Sequence, residues 1–442
     1  MSNLDVRSPN RVLSERIQFV ACAILVVFVM GWIGWFFPFD DLLDRSGTPL
    51  GADFSMFYVA GQVVWDGAGE RLYDQTEHQR RLQQLFPAID SSFALPYRYP
   101  PCVATLMAPL AALPYPLAYA VFFALSCAAW WTAARQLVSV CPELRNAWQR
   151  SLRWAILGWP VALETLVGGQ ASMFALLIAV SVYALLQNHR WVLAGAILAL
   201  AAYKPNVLAL LALGCLIRYP RMLKGFVPMA AGVGLLCLVP NGWEGLLQYR
   251  ELTANLATQS WDVATPLWKV HGLAPWFHFT LGDDGRLACG LMGIAATCFV
   301  ALRARVVSAS WGTASWGTAS LVKAGTPIEP MWFATLISLN ALFNAYTPTY
   351  DLVLLLIGAA LTAEHVVRQH GPNVSRTLVT VQLLLATVYF GPHLSQVIAK
   401  STGVQPFGLV FAGLAAWQVG LLLQSQREPA ASRDQLLTSV SG

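Results

Sequence analysis

The chain has 442 residues, 56% hydrophobic and only 12% charged, with mean hydropathy +0.54 and a formal net charge of +5. A soluble domain carries about 25% charged residues, so this composition excludes a water-soluble particle of such size and predicts an all-α polytopic membrane protein. The basic residues are scattered between apolar runs instead of gathered on one face, which argues against a nucleic-acid partner.

The first apolar run, 17–37, follows Arg7, Arg11 and Arg16 and is long enough to cross a bilayer, which needs about 20 residues. A cleavable signal peptide is the alternative. The run exceeds the usual apolar core of such a peptide, no small-residue cleavage site follows it, and Trp32, Trp35, Phe36 and Phe37 resemble an interfacial belt, so a retained helix is expected. A long polar segment follows, expected to carry short amphipathic helices, in which 54–64 reads as a short apolar-rich helix. The stretch 101–116 is apolar but interrupted by Pro109, Pro114 and Pro116, and reads as a helix lying at the outer face or dipping into it. Further apolar runs lie near 117–138, 152–167, 170–187, 191–203, 206–217, 225–240, 286–303, 330–345, 350–366, 376–392 and 405–424. With the first run they make about twelve transmembrane or re-entrant helices, and the short pair 191–203 and 206–217 suits re-entrant half-helices.

An N-terminus in the cytoplasm brings the charges into order. Cytoplasmic segments then hold 18 of the 28 Lys and Arg, while 16 of the 23 Asp and Glu lie outside. The expected organisation is a cytoplasmic tail (1–16), one transmembrane domain (17–424) with a first outer loop at 38–116 and a cytoplasmic loop at 304–329, and a cytoplasmic tail (425–442). The cytoplasmic loop contains a tandem WGTAS repeat at 311–320 that reads as a duplication without function. The eight cysteines lack a CxxC pair and read as small buried hydrophobes, with neither a disulfide framework nor a metal site. The seven histidines show no metal-ligand spacing either.

The strongest chemical signal is in the first outer loop. Asp53 opens the 54–64 helix, so it reads either as a helix cap or as a carboxylate at the membrane surface available as a general base. The run Asp53, Tyr58, Ala60, Gly67, Leu72, Tyr73 resembles the first-loop motif of glycosyltransferase family 87. RYPP at 98–101, GGQASMFAL at 168–176, LALAAYKPNVLALL at 198–211 and AYTPTYDLVLLL at 345–356 resemble further segments of that family in the same order. The resemblance implies the C-type glycosyltransferase fold and a polyprenyl-phosphate-sugar donor. It also implies an α-(1→2)-mannosyltransferase-like activity on a lipid or glycan acceptor, a bacterial inner-membrane location and Asp53 as catalytic base. The late segment has Tyr346 or a neighbour where some relatives have histidine, which argues against a His-assisted mechanism.

A lipid-phosphate donor needs cations for its leaving group and an apolar groove for its tail. On the topology above, Asp53, Arg98, Glu164, Gln170, Lys204 and Asp351 all come to the outer end of the bundle. Arg98 and Lys204 are the expected phosphate contacts, with snorkelling as the plain alternative for Lys204. Tyr58, Glu164, Gln170, Tyr346 and Asp351 are the expected sugar or acceptor contacts. Turn chemistry is the alternative for Glu164 and Gln170, and helix capping for Asp351. Tyr97, Tyr99, Trp261 and Trp268 lie on the same side, where an interfacial belt accounts for most aromatic residues. No cofactor is expected and transfer is expected to be metal-independent. The rival to an enzyme is a transporter or flippase, disfavoured because the ionisable residues collect at one face and the two halves of the chain are not alike.

Overall fold

The computed structural model describes residues 9–36, 40–90, 93, 95–258, 266–310 and 330–425. Among these are eighteen α-helices, joined by short 3-10 turns, and no β-strand. The WGTAS repeat and Trp261 lie outside the described residues.

The N-terminal helix α1 (Pro9–Phe36) packs along α6 (Pro142–Leu157). Gln18 donates to Ser151 Oγ at 3.1 Å, and the backbones close up so far that a Cβ on Gly158 would strike Ala21 O. α6 begins well before the predicted span at 152–167 and carries Arg145, Arg150 and Arg153 on helix where a loop was expected. The chain kinks at Trp148 (φ −144°), breaks at Gly158–Trp159, and resumes as α7 (Pro160–Val167).

The segment expected to form the first outer loop folds into a layer of its own from α2 (Phe54–Trp65), α3 (Gln75–Leu85) and α4 (Pro101–Ala111). Short amphipathic helices were expected here, and α3 is one, burying Glu77, His78 and Leu82. α2 differs, being buried on nearly every face. α4 covers one side of it, and the aromatic side chains of α5 (Tyr115–Val140) cover another, with Phe54 centred 4.9 Å from Phe122 and 5.6 Å from Tyr119. α4 has eleven residues, too few to cross a bilayer, as the prolines of that stretch foretell.

The membrane layer continues with α8 (Ser172–Gln187), α9 (Trp191–Ala199), α10 (Pro205–Arg218) and α11 (Leu223–Cys237). Two helices that sequence did not foresee follow, α12 (Gly242–Thr258) and α13 (Ala274–Leu281). α14 (Gly285–Ser310), α15 (Pro330–Leu342), α16 (Leu355–His370), α17 (Ser375–Thr402) and α18 (Phe407–Ser425) complete the bundle. Six segments among the described residues are long and apolar enough to cross a membrane, or seven if α10 and α11, bent by 110°, count as one broken span.

At the centre, α15 is buried on all sides, and α16 is buried from Leu355 to Val367. Their apolar character all round, without a polar stripe, fits helices enclosed by other helices. Two polar side chains in this core serve backbone of neighbouring helices. Asn340 of α15 donates to Val207 O and accepts from Leu211 N at 3.3 Å, bridging one turn of α10. Glu364 of α16 accepts from Glu143 N at 3.2 Å and Leu144 N at 2.9 Å, satisfying the free N–H groups at the start of α6.

Candidate functional site

Asp53 does not cap α2. No side-chain capping bond forms, and the residue itself has helical backbone angles (φ −68°, ψ −19°). Its carboxylate turns instead to Gln170, whose Nε2 donates to Asp53 Oδ2, while Asp53 N–H donates to Gly168 O at 3.1 Å. The loop before α2 and the turn between α7 and α8 are thereby fastened at two points. Gly169 makes the approach possible. It has φ +65°, and a Cβ there would strike Gly51 O and lie 2.6 Å from the Phe54 Cβ. Gln170 is buried and also accepts from Tyr99 OH at 3.3 Å. Burial pushes the Asp53 carboxyl above its ordinary pKa and Asp351 adds to the rise, while the Gln170 bond and the Lys204 and Lys269 ammonium groups pull it back.

Lys204 sits in the break between α9 and α10, directly before Pro205. It does not snorkel. The side chain is 4% exposed, and its Nζ lies 2.5 Å from Asp351 Oδ1 and donates to Ser172 Oγ at 2.7 Å. Ser172 Oγ in turn donates to Asp351 Oδ1 at 2.7 Å. The ammonium also lies over the rings of Tyr350 (4.9 Å) and Tyr99 (5.7 Å). Asp351 is no helix cap either, because the 3-10 turn it occupies, Thr349–Leu354, starts after Pro348 without a side-chain capping bond. Its Oδ2 is buried and finds no hydrogen-bond partner among the described residues.

A second pair forms where α7 meets α17. His393 Nε2 lies 2.9 Å from Glu164 Oε2, with both side chains about two-fifths exposed (39% and 40%). Sequence gave no sign of His393, though its place after Pro392 inside a long helix marks a distorted turn. Pro392 O lies 3.1 Å from Nε2 of the buried His271, whose Nδ1 lies 3.2 Å from Thr347 O.

Tyr346 N–H donates to Asn344 Oδ1 at 3.0 Å, and its hydroxyl lies 3.5 Å from that of Tyr350. Arg98 is half-buried and close enough to act on Tyr346 electrostatically. Tyr58 is turned elsewhere, its hydroxyl donating to Leu113 O at 2.7 Å within the α2–α4–α5 layer. Sequence also missed Lys269 and Lys400, both exposed, whose ammonium groups lie 5.1 and 5.7 Å from the centre of the Trp268 ring. The site therefore gathers Asp53, Gln170, Tyr99, Ser172, Lys204, Tyr350 and Asp351 directly. Lys269 acts on it through charge, and Tyr58 stands apart.

Residues 97–325, just over half of the chain, match the sequence model of glycosyltransferase family 87. The chain belongs to that family. It is a glycosyltransferase, and its apolar helices make it a multi-pass membrane one. The matched stretch of this family 87 enzyme contains Arg98, Glu164, Gln170, Lys204 and Lys269, while Asp53, Tyr58, Tyr346, Asp351 and His393 lie outside it. No curated protein and no solved structure matches the chain.

Proposed function

We propose that this family 87 enzyme moves a sugar, mannose being the expected one, from a polyprenyl-phosphate donor to a hydroxyl of a lipid or glycan acceptor. The reaction takes place at the outer face of a bacterial cytoplasmic membrane. Asp53 is the general base. The observation that carries this reading is the setting of its carboxylate, which is half-buried, held by Gln170 and raised in pKa above an ordinary Asp. A raised pKa brings a base closer to the operating pH and so improves proton transfer.

In the reaction Asp53 takes the acceptor hydroxyl proton as the acceptor oxygen attacks C1 of the sugar. The bond from C1 to the phosphate oxygen breaks, and polyprenyl phosphate leaves. Arg98 and Lys269 stabilise the charge gathering on the departing phosphate. Lys204 was expected to share that task, but its ammonium is already neutralised by Asp351. It serves better as a strut that holds Asp351, Ser172 and the Tyr99 and Tyr350 rings in place. Glu164 with His393, and Tyr346, supply polar contacts for sugar or acceptor hydroxyls. Tyr58 acts indirectly, by fixing α2 against the chain at Leu113. The helices too short to span alone complete about twelve crossings or re-entries in a C-type glycosyltransferase fold, with both termini cytoplasmic. No cofactor or metal is required.

The test uses membranes containing the full chain, supplied with synthetic mannosyl- and arabinosyl-phosphate polyprenols and total lipid extract. Mass spectrometry should find a new glycoside together with an equal amount of polyprenyl phosphate. Full transfer by Asp53→Asn would remove Asp53 as the base. Uptake of the lipid-linked sugar without any glycoside would favour a flippase step over transfer from this donor.

A further inference from the structure

A single residue, Cys141, joins the end of α5 at Val140 to the start of α6 at Pro142. The two helices carry four arginines, Arg135 on α5 and Arg145, Arg150 and Arg153 on α6, against one acidic residue, Glu143. Helical spacing puts Trp131, Arg135 and Ser139 on one stripe of α5, and Arg145, Gln149 and Arg153 on one stripe of α6. Between the stripes lies a cavity of about 470 Å³ whose walls include those six side chains. A second cavity, of about 440 Å³, shares Gln149, Arg153 and Leu157 with it and is completed by Arg150 and Trp154. Among the described residues no carboxylate pairs with any of the four arginines. Glu364, which meets the start of α6, is taken up by Arg368 at 3.2 Å.

We propose that these two cavities hold the headgroup of an anionic phospholipid, at a site separate from the one where transfer takes place. α5 is long and apolar enough to cross a membrane, and Arg135 stands five residues before its end, at the depth of the headgroups. Away from the arginines α5 exposes Trp131, Leu125 and Leu117, an apolar track for acyl chains. Guanidinium groups meet phosphate oxygens with paired N–H donors, and the Gln149 amide is placed to serve ester or glycerol oxygens. Trp131 and Trp154 are side chains of the amphipathic kind that sits at headgroup level. Arginines that merely reach water from a helix end need no concavity; these surround two, each with a tryptophan in its wall.

Distance separates this site from the donor. Tyr119 of α5 donates to Val167 O, beside the turn that carries Gln170. Arg135 lies sixteen residues further along the same helix, about 24 Å at 1.5 Å per residue. A phosphate held by Arg135 is therefore out of reach of Asp53. The proposal is independent of the sugar, of the donor and of the side of the membrane on which the arginines lie.

The test uses the purified full chain in micelles containing equal amounts of phosphatidylglycerol and phosphatidylcholine with the same acyl chains. Native mass spectrometry should find phosphatidylglycerol retained in preference, and a photoreactive phosphatidylglycerol should cross-link wild-type protein within 131–157. One basic side chain near an anionic surface is worth about fivefold in affinity, so Arg150→Gln with Arg153→Gln should weaken binding roughly 30-fold. The double change Arg221→Gln with Lys224→Gln, which removes two exposed charges elsewhere, should leave binding unchanged. Equal retention of the two lipids by wild-type protein overturns the proposal, as do cross-links confined to other segments. Equal weakening in the two double variants overturns it too, because binding then follows net charge. Displacement of the lipid by millimolar inorganic phosphate would assign the cavities to a soluble anion instead and overturn the lipid site.

Discussion

Gln170 donates its side-chain amide to the Asp53 carboxylate across a turn that only glycine at position 169 allows. That bond favours the ionised carboxylate, whereas burial disfavours it and is the larger effect. A base must be ionised to act, so activity should fall on the acid side at a pH above that of an ordinary aspartate, about 3.9. Gln170→Leu removes a force that lowers the pKa, so the acid limb should move to still higher pH. A pH–rate profile of the two enzymes measures the displacement; a limb that stays in place, or moves to lower pH, contradicts the assignment.

Asp53→Asn separates catalysis from folding. Loss of a general base typically costs about 10²–10⁴-fold in rate. The same change removes a carboxylate whose burial is unfavourable, so the thermal midpoint in detergent should hold or rise. A rate lost together with the midpoint would mean that Asp53 serves the fold.

The Lys204–Asp351 pair should behave as a unit. Lys204→Met or Asp351→Leu alone leaves a buried charge without its partner, an effect of about 3–5 kcal/mol. The double variant should regain most of the stability in thermal unfolding, since neither charge then remains, but not the activity. Equal losses in the single and double variants would mean that the ion pair contributes nothing of its own.

Gly169→Ala puts a side chain at φ +65° and against Gly51 O. Backbone strain of this kind is about 1–3 kcal/mol before the collision is counted. Both the thermal midpoint and the transfer rate should fall, because the turn carries Gln170. Gly67→Ala has a similar φ, +71°, but nothing within 4 Å of the added carbon, and should be the milder change.

Glu77 gives the α2–α4 layer its own acid sensitivity. It contacts Arg71 (3.6 Å), Arg80 (2.6 Å) and Arg81 (2.7 Å), and Arg81 reaches on to Asp66 at 2.6 Å. The Arg80 hydrogen bond leads in lowering the Glu77 pKa to about 2. A depressed carboxyl contributes stability above its unfolded pKa, about 4.3, and loses it as the pH falls towards 2. Proteolysis or hydrogen exchange across 66–85 should therefore accelerate in that window, and the dependence should vanish in Glu77→Gln.

The apolar runs told most of the helix positions, because bilayer thickness forces long uninterrupted stretches whatever their neighbours are. Pro109 and Pro114 likewise announced the short α4 locally. The partners of the polar residues were another matter. Asp53, Lys204 and Asp351 each carried a plausible local role, as cap, snorkelling side chain and cap, and in each case a residue distant in sequence took the side chain instead. His393 escaped notice because its meaning depends on Glu164, 229 residues away. Tyr58 was read as a site residue from the first-loop motif it shares with Asp53, and the motif could not tell that α2 turns its hydroxyl towards Leu113.

The Lys204–Asp351 ion pair also sets a schedule for synthesis. Its partners are 147 residues apart, and at about 5–20 residues per second the aspartate is made roughly 7–30 s after the lysine. Throughout that interval α9 and α10 carry an unneutralised ammonium at their junction, which disfavours their settling into lipid. Chains ending before Asp351 would then present an unpaired lysine in the membrane, a simple mark by which unfinished copies differ from finished ones.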